Sequence, residues 1–204
     1  MNTSTRATGR ATWVAVRATA VLTLVLGVGY TAVVTGFAQL AMPAQADGSM
    51  VHDADGTAVG SALIGQSFLD ADGNPLPQYV QPRPSAAGDG YDGGASSGSN
   101  WGPENTDLVA AVEERRQQVA DLNGVDPASV PPDALTASGS GLDPHISPEY
   151  ARLQVERVAQ ARGVAPEEVR ALVDAHTQGR SLGYLGEPTV NVLELNLALD
   201  GLEG

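Results

Sequence analysis

The residues best suited to chemistry in this 204-residue chain are three histidines, one serine set among small residues, and a surplus of carboxylates. Gly94-Ala95-Ser96-Ser97-Gly98 has the spacing of a nucleophile elbow. That motif holds its serine on a strained turn between a buried strand and a helix. Here Asp89-Gly90-Tyr91-Asp92-Gly93 stands where the strand would be, so the pattern reads as a Gly/Ser-rich loop and not as a hydrolase site. His52, His145 and His176 lie far apart and outside any H-E-x-x-H context, which argues against zinc. His176 falls on an apolar helical face and reads as a hydrogen-bonded core residue. Asp143-Pro144-His145 reads either as an ion-pair or hydrogen-bond fixture in a turn, or as a contact with a partner. The chain has no lysine, hence no Walker A motif, and it lacks the aspartyl-phosphate signature of ion pumps. Nothing in it hydrolyses ATP unaided.

Charge is distributed unevenly. Arg6, Arg10 and Arg17 are the only ionisable side chains among the first 17 residues, and the rest carries 24 acids against 8 bases, a net −16. Such a surface repels nucleic acid and gains nothing from anionic lipid, although it can raise the local concentration of cations. A solvated, solubilising face is the plainer reading of the same charge. Cysteine is absent, which removes disulfides and thiolate metal sites. Aromatic residues make up only 4%, so a core must come from Val, Leu and Ala.

The elements that must position these groups begin with an anchor. No charged residue occurs from Ala18 to Ala46, and the strongly apolar part, 18–42, holds 25 residues. At about 1.5 Å per residue it spans a hydrocarbon core of about 30 Å with some tilt. Three arginines before it and Asp47, Asp53 and Asp55 after it place residues 1–17 in the cytoplasm and residues 47–204 outside, by the positive-inside rule. Ala44-Gln45-Ala46 would suit a signal peptidase, but the apolar run is longer than the roughly 7–15 residues of a signal core. Gly29, Val33 and Gly36 share one face, either as a contact for a neighbouring helix or as glycines that lipid tolerates.

Beyond the anchor, the pattern predicts one α+β domain, strands and turns first and helices later. Asp53-Ala54-Asp55-Gly56 and Asp70-Ala71-Asp72-Gly73 are turns; neither continues to the bidentate Glu of a calcium loop. Val59 to Phe68 is a strand candidate between them. Residues 82–103 contain 13 Gly, Pro or Ser, yet Arg83, Tyr91 and Trp101 punctuate them, so this is a long ordered loop and not a spacer. Thr106 is placed as the cap of a helix ending near Leu122. Ser147-Pro148-Glu149 opens a helix running to Arg162, and Pro166 opens another with Val169, Leu172, Val173 and His176 on one face. Alternating leucines at 193–199 suggest a strand; Asn191 followed by Glu194 suggests a capped helix, the preferred reading.

Six stretches, in order and nearly covering the chain after the anchor, resemble the C subunit of Kdp-type potassium-transporting ATPases. They are Gly60–Phe68, Arg83–Ser85, Ala95–Asn100 with Gly102-Pro103, Asp133–Pro148, His176-Thr177 and Leu182–Asp200. Trp101 and Glu104 depart from the usual pattern. The resemblance implies a non-catalytic accessory subunit of an ATP-driven potassium-uptake complex. Its partners would be a channel-like A subunit that selects the ion, a P-type B subunit that hydrolyses ATP, and a small F subunit. It also implies a catalytic-chaperone role that raises the ATP affinity of the B subunit, with ATP reached through that subunit and potassium as the transported ion. Partner-contact candidates are Gly29, Val33, Gly36, Arg83, Ser96, Asn100, Asp143 and His145. A membrane-anchored binding module unrelated to transport is the competing reading, and an outer-face gate or cation-concentrating cap is a third.

Overall fold

Met42 precedes a proline, and a residue in that position is pushed out of the helical region. Met42 accordingly sits at φ −142°, ending a helix that starts far upstream. In the computed structural model, which describes residues 3–203, this helix comprises α1 (Thr3–Leu22), a π-helical stretch (Thr23–Tyr30) and α2 (Thr31–Ala41). It begins well before the apolar run, and residues 3–17 hold no proline to interrupt it. Ala7–Ala41, 35 residues, is long and apolar enough to cross a membrane, and none of its apolar window is buried by protein. A short helix, α3 (Pro43–Ala46), follows the proline.

The chain divides between Ser49 and Met50 into two compact units. The second is the expected α+β domain. Its first hairpin joins β1 (Met50–His52) to β2 (Ala58–Ser61), antiparallel with a bulge at Val51/His52. The turn is tied by Asp53, whose Oδ1 accepts from the backbone N–H of Asp55 (3.0 Å) and Thr57 (2.8 Å). Asp70 repeats the arrangement with Asp72 and Asn74, at 2.9 and 2.8 Å. Both tetrapeptides are therefore Asx turns. The strand expected over Val59 to Phe68 is shorter than that, because the chain turns at Ala62 and Leu63.

Helix α4 spans Thr106–Asn123. Its cap is Asn105, one residue before the expected Thr106: Asn105 Oδ1 accepts from the N–H of Asp107 (2.7 Å) and Leu108 (3.2 Å). Gly124, at φ 65°, ends it in the left-handed conformation that glycine adopts without cost. The helix expected over 148–162 is two helices, α5 (Pro148–Leu153) and α6 (Val155–Arg162), parted at Gln154. Helix α7 (Pro166–Ala175) buries Val169 and Val173 as its periodicity predicts. A three-stranded antiparallel sheet in the order β3 (His145–Ile146), β5 (Thr189–Asn191), β4 (Thr177–Gln178) closes the unit. The ambiguous tail resolves as helix α8 (Val192–Asp200), capped by Asn191 Oδ1 on the N–H of Glu194 at 3.2 Å.

The core gathers Val80, Ile146, Val155, Val158, Val169, Val173, Val190, Leu195 and Leu199, aliphatic as the composition requires. Two buried amides extend it into the loop. Asn196 accepts from Val80 N–H (2.8 Å) and donates to Val80 C=O (2.9 Å), and Gln154 does the same for Gln81 at 2.8 and 3.1 Å. Each amide serves an extended backbone as a neighbouring strand would.

Candidate functional site

The ordered loop meets the segment 133–145 through side chains far apart in sequence. Arg83 donates from Nη1 to Asp143 Oδ2 at 3.0 Å, and from Nε and Nη2 to the Thr136 carbonyl at 3.3 and 3.1 Å. Asp143 Oδ1 accepts from the N–H of His145 at 3.0 Å and lies 3.2 Å from His145 Nδ1. Tyr91 Oη donates to the Arg83 carbonyl at 2.8 Å. Ser85 Oγ donates to the Gly141 carbonyl at 2.6 Å and accepts from the N–H of Ala87 and Tyr91. The hydrogen bond from the His145 ring, with its backbone N–H and Arg83, holds the Asp143 carboxyl below its ordinary range against the opposing effect of burial. Burial pushes the Tyr91 phenol up, so it stays a neutral donor.

Three of the expected site residues, Arg83, Asp143 and His145, are thus brought together as a fixture that joins loop to turn. Ser96 lies nearby, its Oγ donating to the Ser140 carbonyl at 3.0 Å. The residues before Ser96 are turns with no strand among them, so the nucleophile-elbow spacing carries no elbow. Gly88, Gly90 and Gly93 also stand at G-x-G-x-x-G spacing, a match the sequence reading passed over; no strand precedes them and no helix follows, so the dinucleotide geometry is missing. Asn100 is exposed at φ 54°, with Nδ2 donating to the Gly98 carbonyl at 3.0 Å. In the other unit, Gly29 lies in the π-helical stretch and Val33 and Gly36 in α2, all three exposed. A methyl added at Gly36 would meet nothing within 4 Å. His176 is half-buried, its Nδ1 2.9 Å from the Leu172 carbonyl.

Sequence reasoning missed an apolar tip. Ser181 and Leu185 exchange two backbone hydrogen bonds of 2.9 Å, and Arg180 pairs with Glu187 across the base. The hairpin so closed leaves Leu182 81%, Tyr184 69% and Leu185 50% exposed. Three large apolar side chains between glycines, in an acidic domain, were the available signal. A cavity of about 690 Å³ also opens beside Arg83, lined among others by Pro82, Arg83, Tyr91, Arg115, Gln118 and Tyr150.

One unit is thus a helix long and apolar enough to cross a membrane, and the other an acidic α+β domain that carries this fixture. Residues 12–201 match the family described as KdpC: K+-transporting ATPase, c chain. Relatives named potassium-transporting ATPase KdpC subunit include one from Kineococcus radiotolerans, 62% identical over 88% of this chain and 87% of that protein. One from Caulobacter vibrioides is 54% identical over 87% and 86%, and one from Myxococcus xanthus 54% over 89% and 84%. This chain belongs to the KdpC family. It is a subunit of the ATPase and not the catalytic one.

Proposed function

We propose that this chain is an accessory subunit of an ATP-driven potassium-uptake complex, holding its α+β domain on the outer face while one helix anchors it. The carrying observation is the charge asymmetry around its apolar part, 18–42: three arginines and no acid in residues 1–17, and a net −16 after residue 17. The N-terminus then lies in the cytoplasm, and the domain stands away from cellular nucleotide. The chain stabilises the channel-like A subunit, the P-type B subunit and the small F subunit as one assembly. The helix packs on a partner through Gly29, Val33 and Gly36. Leu182, Tyr184 and Leu185 supply an apolar contact in water, and the Arg83–Asp143–His145 fixture holds the loop that presents Ser96 and Asn100. A rise in the ATP affinity of the B subunit would reach it through the anchor and the partner subunits, without contact between this domain and ATP.

The test is an enzyme tag at Gly204 that reports only from outside the cytoplasm, read beside its cytosolic counterpart. Signal from the outside tag is expected; signal from the cytosolic one removes the proposal. A second reading, a cap that concentrates cations at the potassium entrance, is favoured by the same negative charge.

A further inference from the structure

The cavity beside Arg83 has polar groups in its wall that the fold leaves unused. Tyr150, 3% exposed, is one of its lining residues, and its hydroxyl makes no hydrogen bond among the described residues. Every sealed side-chain nitrogen or oxygen among the described residues has a partner, so this hydroxyl is open to the cavity and not walled in. Burial holds the phenol protonated, so it can donate.

Arg115 is the second unused group. Of the arginines after residue 17, only Arg115 and Arg157 have no carboxylate within ion-pair distance among the described residues. Arg157 is buried and spends its donors on Pro77, Tyr79, Asn123 and Gln154. Arg115 is half-buried and gives one hydrogen bond, from Nη1 to the Leu135 carbonyl at 3.0 Å. Its remaining N–H groups suit an oxyanion. Asp121 also lines the cavity, engaged by the Gln117 amide at 2.7 Å. Its charge opposes a polyanion. Leu69, Pro75, Pro82, Pro84, Val119 and Leu122 give part of the wall an apolar character, and the polar Ser67, Gln81, Arg83, Ser85 and Gln118 share the remainder.

We propose that this cavity binds a monocarboxylate with an apolar body, its carboxylate on Arg115 and a further polar atom on the Tyr150 hydroxyl. The carboxylate comes from a free organic acid or from an acidic group of another subunit. A volume of about 690 Å³ accommodates either.

The experiment is calorimetric titration of the full chain in detergent with benzoate, benzyl alcohol and inorganic phosphate at matched ionic strength. Saturable benzoate binding is expected, with weaker phosphate binding and none of the alcohol. Arg115→Gln should weaken benzoate at least about tenfold, the loss of one charged hydrogen-bond partner. Tyr150→Phe should weaken 4-hydroxybenzoate, titrated alongside, and leave benzoate, which carries no second polar atom, unchanged; the melting temperature of the free protein should not fall, since the hydroxyl holds nothing in the fold. Absent benzoate binding, binding unchanged in Arg115→Gln, or phosphate or the alcohol binding as well as benzoate overturns the proposal. Repeating the titration on the assembled ATPase separates the sources. Benzoate excluded there, but bound by the free chain, assigns the carboxylate to a partner; benzoate still bound assigns a free acid.

Discussion

Arg157 carries a charge into the core with no carboxylate to meet it among the described residues, and its cost is offset by geometry. Its fork reaches the carbonyls of Pro77 and Tyr79 at 2.6 and 3.0 Å, Asn123 Oδ1 at 2.9 Å and Gln154 Oε1 at 2.7 Å. Burial lowers its pKa to about 10, so it remains charged at neutral pH. A lysine cannot span those acceptors, and a buried acceptor left unmet costs about 1–3 kcal/mol. Arg157→Lys should therefore lose about 2–4 kcal/mol in urea unfolding, with native topology retained. Asp143 behaves in the opposite sense. Its carboxyl is held below the ordinary 3.8 by the His145 ring first, with His145 N–H and Arg83 helping against burial. A carboxyl depressed in the folded state adds stability above its unfolded pKa and loses it as pH falls through the folded value. Asp143→Asn should therefore be less stable than the parent at pH 7, and the gap should narrow at a pH below the ordinary 3.8, as the folded-state carboxyl is protonated. Urea midpoints at the two pH values check the sign.

At the scale of elements, the loop 82–103 is held by bonds that no local pattern announces. Its entry is clamped by Gln154 and Asn196, 73 and 116 residues away from the backbone groups they bind. Gly141, at φ 69°, lets the turn approach it: a methyl there would stand 2.5 Å from the Ser97 carbonyl oxygen and 2.7 Å from the Ala87 nitrogen. Both are backbone atoms, which cannot swing aside. Gly141→Ala should cost at least about 2 kcal/mol and free the loop to proteolysis near Ser97, read by the rate of a limited digest. What was legible in the sequence was local. Ser147-Pro148-Glu149 and Gly124 mark helix ends through their own backbone chemistry, and each DADG closes on its first aspartate. The tail at 193–199 misled by its alternation because α8 is buried nearly all round, at Leu193, Leu195, Asn196 and Leu199, and the cap at Asn191 was the better guide. The break at Gln154 and the Arg83–Asp143 pair were hidden, since both depend on contacts between distant segments. The cluster residues themselves were named in advance; their joining, the apolar tip and the cavity were not.

For the whole molecule, the proposed orientation places its acids on the side from which potassium arrives. A field from fixed charges acts over the Debye length, about 8 Å at physiological ionic strength and about 30 Å at 0.01 M. Its effect on a monovalent cation must therefore grow as salt is withdrawn, whereas a contact at a bound ion would change little. The acids to remove are those whose carboxylates hold nothing in the fold. Asp53 and Asp70 close turns and stay; Asp55, Asp72, Asp89 and Glu104 are exposed, and their side chains make no ion pair among the described residues. Replacing those four with the corresponding amides brings the formal charge from −13 to −9 and leaves in place the side chains that close the turns and cap the helices. In the assembled ATPase, the apparent KM for potassium should rise about twofold at 0.01 M ionic strength. The two proteins should converge near 1 M, where the Debye length is about 3 Å. A KM that is unchanged at low salt removes the cation-concentrating role and leaves structural support of the complex. A KM raised equally at both ionic strengths would instead mean that one of the four carboxylates meets the ion or a partner directly.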